Sequence, residues 1–273
     1  MHSPEEIKQI LKASKFRPKD YMGQNFLVDQ DVLDRIVSAA DLKPSDEVLE
    51  VGPGLGVLTS ELVKKCSKVV AVEKDRRFFG LIKRQFKHQK NLDLVNADIL
   101  RFNIGESFGK SFKVVANIPY YLTSKFISLL LTLRKKPESI VVLVQKEVAE
   151  RAAAKPGDLS VLGLSVQFFA DPEIIGLVKP GSFWPMPKVD SAILKIVPKP
   201  KFPSVDEKMF FWVLKAAFAG KRKQLHNSLS NNLHVPEDEV LKKLSASGID
   251  PVLRPQQLTL SDWVRLSEQF ISK

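Results

Sequence analysis

Glu50-Val51-Gly52-Pro53-Gly54-Leu55-Gly56 is the stretch whose reading decides the fold. The apolar run before it, Val48-Leu49-Glu50-Val51, reads as a buried strand, and residues 57–63 read as the helix that follows. Strand, glycine turn and helix in that order form the first unit of an open α/β sheet, which binds ligands at the carboxyl edge of its strands. The glycines are spaced G-x-G-x-G and not the G-x-G-x-x-G of dinucleotide binders. Gly52 and Gly54 permit unusual φ values and remove the Cβ atoms that would hold a ligand off the backbone. A second strand, residues 68–72, ends at Glu73, 21 residues after Gly52. An acid at that tip accepts hydrogen bonds from both hydroxyls of a ribose. The plainer alternative is a helix-capping turn followed by a solvated glutamate.

A third strand, Leu92-Asp93-Leu94-Val95-Asn96, runs into Asp98, a carboxylate suited to an adenine amino group or, on spacing alone, equally to capping the next short helix. The fourth strand, residues 112–116, delivers Asn117-Ile118-Pro119-Tyr120 to the same edge of the sheet. That tetrapeptide fits the amino group of a flat base. The side-chain oxygen of Asn117 and a carbonyl beside Pro119 each accept one N–H, and Tyr120 offers a stacking face with a cation–π contribution to a sulfonium. The glycine turn and the tetrapeptide together point to S-adenosylmethionine and a base nitrogen that takes its methyl group. The methyl is already activated, so alignment matters more than a strong base. No catalytic His or Cys is required.

Composition agrees. A formal charge of +11 over 273 residues points to a polyanionic partner, with nucleic acid favoured over membrane. No run of about 18 apolar residues exists to span a bilayer, and residues 1–6 lack a signal-peptide core. The single cysteine, Cys66, excludes an intrachain disulfide and fits a reducing cytoplasm. His2, His88, His226 and His234 show no metal spacing, so no metal is expected. The protein is expected to act as a monomer.

Along the chain, residues 1–22 read as a basic arm, helical from Glu5 to Ser14, with Lys8, Lys12, Lys15, Arg17 and Lys19. Residues 23–198 read as the cofactor domain: a helix near 31–40, five βα-type units to about Arg151, a helix near 159–168, and two further strands near 171–178 and 189–197 that close the sheet as an antiparallel pair. The proline-rich stretch Val197-Pro198-Lys199-Pro200-Lys201-Phe202-Pro203 marks a boundary. Residues 199–273 then read as helices near 205–219, 221–231, 237–247 and 260–271. This tail holds 12 Lys/Arg against 8 Asp/Glu, so the positive charge is not confined to it.

The chain closely resembles the small-subunit ribosomal RNA adenine dimethyltransferases, the kasugamycin-resistance (KsgA) family, over essentially its whole length. The resemblance rests on Gly23-Gln24-Asn25-Phe26-Leu27, Glu50 to Gly56, Asn117 to Tyr120, and Gln145-Lys146-Glu147-Val148-Ala149-Glu150-Arg151. It continues through Phe183-Trp184-Pro185-Met186-Pro187-Lys188-Val189-Asp190-Ser191 and Phe218-Ala219-Gly220-Lys221-Arg222-Lys223-Gln224-Leu225. It implies an α/β class I methyltransferase, with a Rossmann-like seven-stranded sheet and a small all-helical C-terminal domain. Cofactor contacts are implied at Asn25, Leu27, Gly52, Gly54, Glu73, Asp98 and Asn117. An adenine clamp between Tyr120 and Phe183 is implied, with Asn117 and Pro119 completing the catalytic set, and RNA contact at Lys221, Arg222 and Lys223. The implied reaction dimethylates N6 of two adjacent adenines in the 3′-terminal hairpin loop of 16S ribosomal RNA, in the 30S subunit or its precursor. A large-subunit methyltransferase shares the two core motifs; the proline-rich 183–191 segment and the helical tail argue against it. A binding-only assembly factor and a nicotinamide oxidoreductase are the remaining alternatives.

Overall fold

The computed structural model describes residues 3–13, 25–220 and 222–271. Its elements in chain order are α1 (Pro4–Ala13), β1 (Phe26–Leu27), α2 (Gln30–Ala39), β2 (Glu47–Val51), α3 (Val57–Lys65), β3 (Lys68–Glu73), α4 (Arg76–Gln85), β4 (Leu92–Asn96) and β5 (Lys113–Asn117). There follow α5 (Thr123–Thr132), β6 (Ile140–Gln145), α6 (Lys146–Ala152), α7 (Val161–Phe169), β7 (Ala170–Val178), β8 (Phe183–Trp184) and β9 (Ser191–Pro198). Among the described residues the last α-helices are α8 (Glu207–Ala219), α9 (Leu225–Leu233), α10 (Glu237–Ala246) and α11 (Leu260–Glu268).

Seven strands form one sheet in the order β4-β3-β2-β5-β6-β9-β7, as the resemblance implies. β2 pairs in parallel with β3 on one side and β5 on the other, β5 with β6 likewise, and β9 runs antiparallel to β6. The central strands are mostly apolar because helices cover both faces of a parallel sheet: Val48, Leu49, Val114, Val115 and residues 140–144 are fully buried. Chain order reverses between β2 and β5, so their carboxyl ends diverge and leave a crevice there. The main cluster beneath it joins Leu33 and Ile36 of α2 to Leu58 and Leu62 of α3 and to Phe183 and Ile193. α2 is placed by its N-cap Asp29, which accepts from the Val32 N–H at 3.3 Å and from the Ser182 hydroxyl at 2.7 Å.

Four features depart from the sequence reading, the fourth being the start of α9. α1 is no free arm: Ile7 and Leu11 are buried in one cluster with Phe26, Leu55 and Phe78. The amphipathic spacing of Ile7 and Leu11 is what lets a helix with charged flanks dock this way. Lys15, Arg17, Lys19, Gly23 and Gln24 lie outside the described residues. Second, β1 and β8 form a two-residue antiparallel ladder, Phe26 opposite Trp184 and Leu27 opposite Phe183, which no local pattern announces. Third, the chain divides into two compact units, and the division does not follow chain order. Met1–Ala149 and Asp171–Pro198 form the first, while Glu150–Ala170 joins Lys199–Lys273 in the second. The segment at 150–170 therefore belongs with the helices, where the boundary at 198 would have left it with the sheet. The cause is aromatic packing: Phe168 lies 4.2 Å from Phe210 and 5.5 Å from Phe202, ring centre to ring centre.

Within the second unit, α8 starts at Asp206, whose carboxylate accepts the Lys208 and Met209 N–H groups. α11 starts at a Thr259–Asp262 capping box and buries Trp263. α9 begins at Leu225, four residues later than the sequence suggests. The Leu225 N–H is taken by the Leu253 carbonyl and the Lys223 N–H by Gly220, so Arg222 and Lys223 sit on a turn and not in a helix.

Candidate active site

Every carboxyl end at the crevice carries a residue singled out from the sequence. After β2 the chain turns through Gly52, Gly54 and Gly56, all with positive φ (65°, 59° and 78°). The third has a packing duty as well, since a Cβ there would lie 2.7 Å from the Phe86 ring. A Cβ on Gly52 would lie 3.7 Å from Cδ of Pro119, so the glycine turn and the Asn117–Tyr120 motif abut.

Glu73, at the end of β3, is 8 % exposed. Its Oε2 accepts the Gly54 N–H at 3.3 Å and its Oε1 the Asp75 N–H at 2.8 Å. Burial raises its pKa despite these two bonds. Each carboxylate oxygen retains a further lone pair for a ligand hydroxyl. Glu50, one strand inward, is 1 % exposed; its Oε2 accepts from the Thr59 hydroxyl at 2.7 Å, and burial pushes its pKa up to about 8. Beyond β4, Asp98 accepts from Lys74 Nζ at 2.8 Å and from the Leu100 N–H at 3.1 Å. The Lys74 bond, foremost, holds its pKa below the usual range. The turn-capping role that spacing allowed for Asp98 is thus present in the Leu100 bond, beside a carboxylate kept charged at the cavity.

At the end of β5, Asn117 Nδ2 donates to the Asn25 carbonyl at 3.4 Å. That bond orients the amide, leaving Oδ1 as the atom not engaged by it. Tyr120 opens a short 3₁₀ turn, and its hydroxyl is 2.8 Å from the Ser191 hydroxyl, the first residue of β9. The phenol is half-buried, and burial raises its pKa. Phe183 is 3 % exposed, held among Leu27, Leu33 and Ile36, so its ring is positioned by the core.

These residues line one cavity of about 670 Å³: Asn25, Leu27, Gly52, Gly54, Glu73, Asp98, Asn117, Pro119, Tyr120 and Phe183 all border it. The volume lies within the range of small-molecule sites. A turn with three glycines, two acidic groups at successive strand ends and apolar walls fit the polar sugar and base of S-adenosylmethionine. Among the described residues, no group of three or more His, Cys, Asp or Glu is placed to hold a metal. Arg222 and Lys223 do not border the cavity; both are exposed and belong to the second unit, and Lys221 lies outside the described residues.

Sequence reasoning missed three participants. Phe26 borders the cavity, packed 5.6 Å from Phe78 and against the Gly54 position. Lys74 borders it too and was detectable only as the neighbour of Glu73. Ser191 steadies Tyr120 from a strand 71 residues away, a pairing no local spacing reveals.

A family model described as ribosomal RNA adenine dimethylase matches residues 13–272. Among similar curated proteins, the ribosomal RNA small subunit methyltransferase A of Dehalococcoides mccartyi (strain BAV1) is 41% identical over 269 residues, covering 97% of this chain and 92% of its own. The protein of the same name from Bacillus cytotoxicus is 39% identical over 282 residues, covering 98% and 97%. Among solved structures, a dimethyladenosine transferase from Plasmodium falciparum superposes with a TM-score of 0.78 at 30% identity, covering 88% of this chain and 95% of that one. The 23S rRNA methyltransferase ErmE superposes with a TM-score of 0.72 at 28% identity, covering 91% and 100%. Since 91% of this chain extends well past Val205, the helical tail does not by itself separate the two substrate types. The chain therefore belongs to the ribosomal RNA adenine dimethylase family, enzymes of class I methyltransferase fold whose methyl donor is S-adenosylmethionine.

Proposed function

We propose that this enzyme dimethylates N6 of two adjacent adenines in the 3′-terminal hairpin loop of 16S ribosomal RNA. It would do so as a cytoplasmic monomer, on the 30S subunit or its precursor, late in small-subunit biogenesis. The observation that carries the reading is the abutment of Pro119 on Gly52, with the Asn117–Tyr120 motif and the glycine turn lining one cavity. The curated relatives named ribosomal RNA small subunit methyltransferase A, at 39–41% identity over nearly the whole chain, support the choice of RNA. No helix among the described residues is long and apolar enough to cross a membrane.

When bound, S-adenosylmethionine supplies a methyl group activated by its sulfonium. Asn25, Leu27, the Gly52–Gly54 turn, Glu73 and Asp98 hold the nucleoside end, with Glu73 receiving the ribose hydroxyls. Asn117 Oδ1 and a carbonyl beside Pro119 accept the two N6 hydrogens. This withdraws the nitrogen lone pair from the ring and aims it along the line of displacement. Tyr120 stacks on one face of the adenine and Phe183 on the other. With the nitrogen so aimed, the bound cofactor would supply its methyl group in a direct displacement, and the alkylated nitrogen would release its proton to water. A second round on the same nitrogen completes each dimethyladenine. Arg222 and Lys223, with Lys221 beside them, contact RNA phosphates from the helical unit.

Incubation of the purified protein with labelled S-adenosylmethionine and unmethylated small subunits tests this. Primer extension and nucleoside mass spectrometry should place dimethyladenine at two neighbouring positions of the small-subunit RNA. Label confined to large-subunit RNA would move the assignment to the ErmE type.

A further inference from the structure

Residues 76–90 contain Arg76, Arg77, Lys83, Arg84, Lys87 and Lys90 and no acidic residue. Six of the positive charges in a chain of net +11 are thus concentrated in fifteen positions. Most of this segment is α4, whose inner face buries Phe78 and Ile82. Arg76, Gly80, Lys83 and Arg84 are spaced i, i+4, i+7 and i+8, which places them along one side of a helix. Lys87 and Lys90 follow in the turn beyond it. Arg76, Lys83, Arg84, Lys87 and Lys90 are exposed and form no ion pair among the described residues. The stripe begins at the cavity itself, where Lys74, Arg76 and Arg77 form part of the rim.

A second observation is independent of charge. Gly80 sits mid-helix in the centre of the stripe, where glycine costs up to about 1 kcal/mol of helix stability relative to alanine. Packing does not demand it: a Cβ built there meets nothing within 4 Å, and its φ is not positive. The bare backbone between Arg76 and Lys83 leaves room for a close approach from outside, flanked by cations.

We propose that the outer side of α4, from Arg76 across Gly80 to Lys87, is a docking surface for the sugar-phosphate backbone of the substrate RNA. It is separate from Arg222 and Lys223, and it guides the strand that leads to the cavity. The proposal rests on the RNA substrate of the preceding section. Lys and Arg side chains on one line and outside any ion pair among the described residues, Lys83 with its Nζ 6.0 Å over the Phe79 ring, offer phosphates a matching row of charges, and RNA is engaged largely through backbone and shape.

The test uses the full chain and purified, unmethylated small subunits. A Lys83→Ala/Arg84→Ala/Lys87→Ala protein should bind these particles about tenfold more weakly at moderate salt. Its plot of log affinity against log salt should be shallower by roughly 0.7–0.9 for each phosphate no longer neutralised. Calorimetric affinity for S-adenosylmethionine, which also reports correct folding, should match the parent. Gly80→Ala should melt at a higher temperature than the parent and yet bind the particles several-fold more weakly. A triple variant with parental affinity and slope overturns the proposal, and so does a Gly80→Ala protein that gains stability and binds as the parent does. Methylation of the same particles by the parent is scored separately, so the stripe can fail while the assigned reaction stands.

Discussion

Glu73, the proposed ribose acceptor, has a second duty that only its surroundings reveal. It already ties down the Gly54 and Asp75 N–H groups. An alanine at this position would therefore loosen the glycine turn as well as remove the ribose acceptor. Glu73→Gln is the sharper probe, because it keeps the shape and one acceptor oxygen. Losing a hydrogen bond to a charged group costs about 1.5–3 kcal/mol, so calorimetry should show cofactor affinity reduced at least roughly tenfold. A folded variant with parental affinity would remove Glu73 from the cofactor site. Asn117→Ala tests the acceptor assigned to the adenine. The proposed bond would strengthen as the attacking nitrogen changes shape, so the loss should fall on the chemical step. Single-turnover methylation should be nearly abolished while filter binding to small subunits stays at the parental level. A parental rate would show that the amino group is held elsewhere.

At the scale of elements, the turn between α8 and α9 carries the exposed pair Arg222 and Lys223. As turn residues, they can reach an RNA backbone without distorting a helix. Replacing both with Ala should lower the salt slope of particle binding by about 1.4–1.8 if each neutralises one phosphate, with cofactor affinity unchanged. An unaltered slope would mark the pair as a solvated surface. Most strands were legible because parallel strands covered on both faces are nearly continuous apolar runs, as residues 69–72 and 140–144 are and as residues 48–51 are apart from Glu50. The two-residue ladder of β1 and β8 was not, because its partners lie more than 150 positions apart. The start of α9 was misjudged for a related reason: Lys221-Arg222-Lys223-Gln224 suits a helix locally, but Leu225 is anchored by the carbonyl of Leu253.

For the whole molecule, the buried carboxyls set how stability depends on pH. Glu50 is raised from 4.5 to about 8 by burial. Between those values the folded state keeps a proton that the unfolded chain has lost, so stability falls as pH rises through the window. Glu73, also raised by burial, acts in the same sense. Asp46 and Asp98, both lowered, act oppositely, but only as pH falls below their ordinary 3.8. The melting temperature should thus decline from pH 5 to pH 8, and Glu50→Gln should flatten that decline while preserving an acceptor for Thr59. An equally steep decline in the variant would show that Glu50 ionises freely. The division into units makes a second global prediction. A chain ending at Pro198 lacks Phe202, Phe210 and Phe211, the rings that pack against Phe168 and Phe169 of α7. It should aggregate or expose apolar surface, measurable by dye binding, whereas the boundary read from the sequence would leave a well-folded domain.

The sequence by itself determined the order along the chain of the strands of the seven-stranded sheet and of the helices between them, the glycine turn, and the residues at the strand ends: Gly52, Glu73, Asp98, Asn117 and Tyr120. Each of these is set within a few residues of its own strand, by apolar patterning and by the chemistry of the turn that follows. Only the tertiary structure decided that Pro119 abuts Gly52, that Ser191 steadies Tyr120, that Lys74 keeps Asp98 charged, and that Phe183 is wedged in the core while still reaching the cavity. It also decided that residues 150–170 belong with the helical tail and that α1 packs through Ile7 and Leu11. Those outcomes depend on segments far apart in the chain meeting one another, where burial and packing of particular side chains, and not local propensity, set the free energy.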